Sequence, residues 1–279
     1  MVLGRSQKLL LQVVIIAGCL IMIYPLLWML MSSFKPNTQI FTDPSLIPKT
    51  ITFENYQFGW AGLSGYTFGK FFANTFLIVA LNIVGTLISC SMAAYAFGRL
   101  DFFMKKIWFA VMLLTLMLPF HVTVIPQYIM FNKFGWINTY LPLTVPKFFA
   151  VEAFFIFLIV QFIRSLPLEF DQAAKIDGCG PIKMYGYLIV PLTLPALVTS
   201  SIFTFIWTWN DFFSQLLYLS SIKTYTVALA LRMFTDSSGD SSWGALFAMS
   251  ILSLAPVFAM FIFFQRYLIE GIAAGGVKG

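Results

Sequence analysis

A single histidine, three cysteines and a charged fraction of only 10% in 279 residues each remove a class of function. His121 alone cannot supply a metal cluster, and any Ser-His-Asp or Cys-His arrangement would have to use that one residue. No Gly-x-x-x-x-Gly-Lys-Ser/Thr phosphate loop occurs, so ATP hydrolysis, if it drives this protein, belongs to another chain. Cys19 and Cys90 fall inside apolar runs and Cys179 in a polar one, so no two are placed to form a disulfide. Charge is the most telling scarcity. A soluble domain carries about a quarter charged residues, whereas here charge is scarce and 59% of the chain is hydrophobic, the composition of a protein that crosses a membrane repeatedly. The net charge of +6 is scattered between apolar runs rather than gathered on one face. That excludes nucleic acid as a partner and makes the basic residues topology signals.

Six apolar segments are long enough to span: Leu9 to Met31, Phe71 to Phe97, Ile107 to Met130, Leu141 to Ile163, Leu188 to Leu219 and Trp243 to Phe264. The fifth is longer than one span needs, so part of it must tilt or project. Ile16-Ala17-Gly18-Cys19 has the look of a lipoprotein cleavage box, but the apolar run continues to Met31, too long for a processed signal. Ten of the seventeen Lys and Arg alternate onto the side that holds both termini, which places the termini in the cytoplasm. Phe34 to Lys70 is then the longest external segment, and 165–190 lies inside the cell.

Ser165 to Pro195 is a polar interruption between two apolar segments. Pro167 can open a short helix and Gly178 close it, Pro181 can open a second, and Pro191 ends the loop. Helices of about ten residues are not stable alone, so the pair leans on something. Ala173 and Ala174, flanked by Gln172, Lys175 and Asp177, offer a backbone that a partner can approach closely. An amphipathic loop lying on lipid headgroups is the competing explanation.

Polar groups at membrane depth are costly unless they face a cavity or a partner. On a continuous helix from Pro142, Glu152 lies roughly 15 Å deep, near the midplane, and His121 lies roughly 21 Å from the inner face. Asn82 is near the middle of its segment. Glu152, His121 and Asn82 are therefore candidates to border a translocation cavity; a structural pairing of Glu152 with His121 or with Lys147 is equally open. Asn210 and Asp211 sit at the outer end of the fifth segment beside Trp207 and Trp209. Such aromatic faces and hydrogen-bonding groups suit a sugar, although for the tryptophans a place in the interfacial belt is preferred. The small, Gly-rich tail from Glu270 has little reason to form structure of its own.

Gln172-Ala173-Ala174, Asp177-Gly178, and Val190-Pro191 with Pro195 resemble the Glu-Ala-Ala loop of ABC importer membrane subunits, with Gln172 in place of the Glu. Leu118-Pro119 through Ile125-Pro126, Gly135-Trp136-Ile137-Asn138-Thr139-Tyr140, Trp209-Asn210-Asp211-Phe212, Trp243-Gly244-Ala245 and the tail from Gln265 to Gly279 resemble the carbohydrate-uptake branch. In maltose-type importers that branch supplies the membrane subunit that pairs with a second, non-identical one. The resemblance runs from about Lys70 to the last residue.

It implies an all-α, type I importer permease with six transmembrane helices: a first helix and external loop (1–69), a five-helix core (70–265) and a cytoplasmic tail (266–279). It also implies residence in a bacterial plasma membrane among lipid, and a translocation pathway shared with the second permease. An extracytoplasmic binding protein delivers substrate, and two ATPase subunits hold ATP and Mg, so this chain carries no cofactor and no catalysis. Asp171, Gln172, Ala173, Ala174, Asp177 and Gly178 would form the loop that docks into the ATPase, and Gly275, Gly276 and Lys278 the tail that inserts between the ATPase subunits. The rival is a self-sufficient secondary transporter or channel. Internal repeats and chains of midspan charge mark that class, and the sequence offers one isolated carboxylate instead.

Overall fold

The computed structural model describes residues 5–62, 64–235 and 242–276. In chain order its α-helices are α1 (Arg5–Ser32), α2 (Glu54–Ala61), α3 (Phe68–Arg99), α4 (Lys105–Thr115), α5 (Phe120–Lys133), α6 (Leu141–Thr144) and α7 (Ala153–Ser165), followed by α8 (Glu169–Ile176), α9 (Pro181–Met184), α10 (Val190–Leu192), α11 (Leu194–Asn210), α12 (Phe213–Tyr218), α13 (Val227–Arg232) and α14 (Trp243–Gly276).

Four spans are single runs long and apolar enough to cross a bilayer: Gln7–Ser32, Phe68–Arg99, Leu141–Ser165 and Trp243–Arg266. Two more are bent pairs, α4 with α5 at 97° and Pro181–Leu192 with Leu194–Asn210 at 74°. The six expected segments are present, but the third is not the straight rod from which the depth of His121 was counted. Pro119 lacks an amide hydrogen and pushes Leu118 out of helical geometry, so the chain turns there. At the second bend Pro191 and Pro195 flank Thr193, and Tyr185–Ile189 just before it winds as a π-helix, a common adjustment where the hydrogen-bond ladder is interrupted. The excess length of the fifth segment is accounted for by this bend and by a break after Asn210, where α12 starts afresh at Phe213.

The described chain forms two compact units, Met1–Gly69 with Ala230–Ala255, and Lys70–Leu229 with Pro256–Gly279. In the first, the external segment is tightly pinned. Lys35 is 1% exposed, and its Nζ donates to the carbonyls of Asp43 at 2.7 Å and Ser45 at 2.6 Å. Hydrogen bonds from Ser45 hold the Asp43 carboxyl below the usual carboxylate range. Asn55 Nδ2 donates to the carbonyls of Ser33 and Lys35 at 2.8 and 2.7 Å. Trp28 packs edge-on to Phe247, and Phe41 to Trp243, each at 5.5 Å. Gly244 is required by this packing, because a Cβ there would stand 2.2 Å from Asn55 Oδ1.

The second unit is built on a core that joins α3 to α7, α9 and α11, with Cys90, Ala94, Phe155, Ile159, Val160, Ile189 and Ala196 buried together. Toward one end of α3, Asn74 Nδ2 donates to the carbonyls of Lys223 at 3.0 Å and Tyr225 at 2.8 Å. Asn138, at φ 62°, accepts from the amides of Ser220 at 3.2 Å and Ser221 at 2.9 Å, which gives the Gly135-to-Tyr140 motif its physical role as a clamp. At about 1.5 Å per residue the 32-residue α3 is roughly 48 Å long, more than the ~30 Å of hydrocarbon. The 34-residue α14 likewise runs on past Arg266. The tail expected to lack structure is helical through Gly276, because Leu268, Ile269, Ala273 and Ala274 favour helix.

Asn55 is buried and held by two carbonyls, so it cannot move aside cheaply. Replacing Gly244 with Ala is expected to cost about 1–3 kcal/mol, seen as a lowered thermal midpoint of the detergent-solubilised protein. Gly18→Ala, in the interior of α1 where a Cβ meets nothing within 4 Å, does not lower the midpoint.

Candidate functional site

The second unit holds a cavity of about 990 Å³, walled by α3, α5, the stretch from Pro142 to Glu152, α11 and α12. Four of the five polar candidates named from sequence, Asn82, Glu152, Asn210 and Asp211, line it. His121 does not. It is exposed, with its ring 5.7 Å from Phe213 and 5.9 Å from Phe120, and those two phenylalanines face the cavity in its stead.

Glu152 is not in mid-helix. A 3₁₀ turn covers Val145–Phe149, Ala150 takes φ 54°, and Glu152 is the residue before α7, so a uniform 1.5 Å rise does not give its depth. Of the two pairings left open by the sequence, the structure forms the one with Lys147: its Nζ donates to Glu152 Oε1 in a salt bridge between half-buried side chains. Both residues line the cavity, so the wall here carries a neutralised pair. Lys147 is set in place by its carbonyl, which accepts from Ser89 Oγ on α3 at 2.7 Å.

Asn82 is 3% exposed and its Nδ2 donates to Thr208 Oγ1 at 3.2 Å. Asn210 Nδ2 turns back to the Ile206 carbonyl at 2.8 Å. Asp211 Oδ1 accepts from the Ser214 amide at 3.0 Å and so stabilises the break between α11 and α12. Gln215, 1% exposed, donates from Nε2 to the Thr208 carbonyl at 3.2 Å and accepts from Thr226 Oγ1.

The two tryptophans part company. Trp209 is 4% exposed and stacks on Phe205 with centroids 5.4 Å apart. Trp207 lines the cavity, packed on Phe155 at 5.0 Å. Two helical steps turn a side chain by about 200°, which is why the neighbours face opposite ways; that periodicity was the available signal.

The Ser165–Pro195 loop has the expected two-helix form. Gly178 at φ 75° closes α8: its amide reaches the Lys175 carbonyl at 3.1 Å and the Cys179 amide reaches that of Ala174 at 2.9 Å, a Schellman closure that needs a left-handed residue. Gln172, Ala173, Ile176 and Asp177 are exposed, while Ala174 packs inward against the core. Asp171 is not on the exposed face with them. It is 6% exposed, with Oδ2 2.9 Å from Arg99 Nε. Gly275 and Gly276 end the helical stretch of α14, and Lys278 lies outside the described residues.

Residues 85–273 match the family described as binding-protein-dependent transport system inner membrane component. A probable ABC transporter permease protein of Bacillus subtilis is 34% identical over 92% of this chain and 84% of its own length. An arabinooligosaccharides transport system permease protein of Halalkalibacterium halodurans is 33% identical over 93% of this chain and 92% of its own length. A trehalose/maltose transport system permease protein of Thermococcus litoralis is 29% identical over 98% and 99%. Among solved structures, a chain of a bacterial ABC transporter involved in import of the acidic polysaccharide alginate superposes with a TM-score of 0.83, covering 96% of this chain and 99% of that one at 20% identity. That likeness carries the fold, and the sequence matches carry the membership: the chain belongs to the family of inner-membrane components of binding-protein-dependent transport systems, as a membrane-spanning permease that works with other subunits.

Proposed function

We propose that this permease imports a sugar or oligosaccharide and forms one half of the pathway, with a second, non-identical permease forming the other. The observation that carries the substrate class is the cavity. It sets aromatic surface, Trp207 and Trp136, beside amides, Asn82 and Asn210, and beside a charge-neutral pair, Lys147 with Glu152. A saccharide presents apolar C–H faces and a rim of hydroxyls, the counterpart of that wall. The names of the relatives from Halalkalibacterium and Thermococcus support the same class.

The energy source is on other chains. Two ATPase subunits bind ATP and Mg and receive α8 in a cleft, and an extracytoplasmic binding protein delivers the sugar. Gln172 and Ala173 are the docking contacts, because they face outward from a short helix that Gly178 closes. The end of α14, with Gly275 and Gly276, reaches toward the same subunits, and Lys278 is proposed as a further contact with them.

Capture tests the assembly: tagged chain expressed with its neighbouring genes is expected to bring down an ATPase and a second permease, and the reading fails if neither appears. Ala173→Trp, which blocks close approach to α8, is expected to abolish ATPase capture while the second permease is retained. For the cavity, Glu152→Gln leaves Lys147 unpaired in the wall, and uptake by the assembled importer is expected to fall about tenfold. Normal assembly with unchanged uptake would remove Glu152 from the pathway.

A further inference from the structure

The face of α8 turned toward the protein rests on one charged contact. Asp171 and Arg99 are paired with side chains 9% and 7% exposed, and among the described residues no other side chain of α8 forms an ion pair or hydrogen bond with the rest of the chain. Arg99 has a second attachment: Nη2 donates to the Leu166 carbonyl at 2.8 Å, just where α7 ends and the chain turns toward α8. One guanidinium therefore holds both the hinge and the helix beyond it.

The pair has an unusual geometry for so buried a contact. Nε and Oδ2 are 2.9 Å apart, yet the angle is poor and neither carboxylate oxygen accepts a well-directed hydrogen bond. Charge attraction falls off gradually with distance and has little angular demand, whereas a hydrogen bond weakens steeply as it bends. Such a contact can keep α8 attached while it tilts. Room for the tilt is present: a second cavity of about 260 Å³ lies against the pair, lined by Tyr95, Lys175, Cys179 and Met184 among others. Arg99 also ends α3, the helix that carries Ile78 and Asn82 into the larger cavity. From residue 82 to residue 99 is about 25 Å along one unbroken helix.

We propose that the Arg99–Asp171 ion pair is the pivot through which tilting of α8 moves α3, and with it the wall of the transport cavity. Both residues act by positioning, and the inference rests on α8 being the ATPase-docking helix. Arg99 is the fork that two attachments require, since a lysine reaches only one of them at a time.

The test uses the complete importer in proteoliposomes with its binding protein and saccharide, and reads uptake per ATP hydrolysed. D171N is expected to capture the ATPase and hydrolyse ATP as the unaltered chain does while uptake per ATP falls at least about fivefold. R99K, which keeps the charge, is expected to fall between the two, and the double variant R99M/D171N to be no worse than D171N alone. The same ratio in R99K decides the matter if D171N does not accumulate. Unchanged uptake per ATP, multiplying losses in the double variant, or loss of ATPase capture by D171N each overturns the proposal. Failure of the unaltered chain to capture an ATPase would instead overturn the docking role of α8.

Discussion

Backbone amides and carbonyls inside hydrocarbon have no water to bond, so a chain can leave helical geometry at membrane depth only where protein or an aqueous cavity takes over. Three interruptions inside the second unit's apolar segments fall at the larger cavity. The α4–α5 bend sets Phe120 in the cavity wall, the irregular residues before α7 set Val151 and Glu152 there, and the break after α11 sets Asp211 and Phe213 there. Three segments distant in sequence are thus broken around one space. The breaks and the cavity explain each other: the cavity makes the irregular backbone tolerable, and the irregular backbone turns side chains into the cavity that a straight helix would bury or expose to lipid.

The same constraint governs the polar side chains. Lys147 and Glu152 neutralise each other, Asn82 is bonded to Thr208, and Asp211 is satisfied by the Ser214 amide. The wall therefore offers hydrogen-bonding atoms in which one opposite-charge pair is already made and one carboxylate, Asp211, is held by a backbone amide.

The spans were legible because length and apolarity alone decide them, and the α8 loop was legible because Pro167, Gly178 and Pro181 are local signals whose meaning does not depend on distant neighbours. The depth of Glu152 and His121 was not legible. Counting residues assumes a uniform helical rise, and Pro119 and the 3₁₀ turn at Val145–Phe149 destroy that assumption. Which of two partners Glu152 takes, which tryptophan faces the cavity, and that Arg99 reaches Asp171 across 72 positions of sequence are matters of tertiary placement. A period of 100° per residue could separate Trp207 from Trp209, yet it could not say which of them faced inward.

That same period resolves the oddity of the loop. Asp171 and Gln172 are adjacent, so α8 turns them roughly 100° apart: one goes into the protein and the other outward. The carboxylate on this helix is committed to Arg99 and is not available to a partner, while the outward position where the resembling pattern has Glu carries an uncharged amide beside Ala173 and Ile176. In the assembly proposed above, docking on this face depends on shape, close backbone approach and apolar contact more than on a salt bridge. The single strong charge interaction of α8 is directed inward, toward the end of α3.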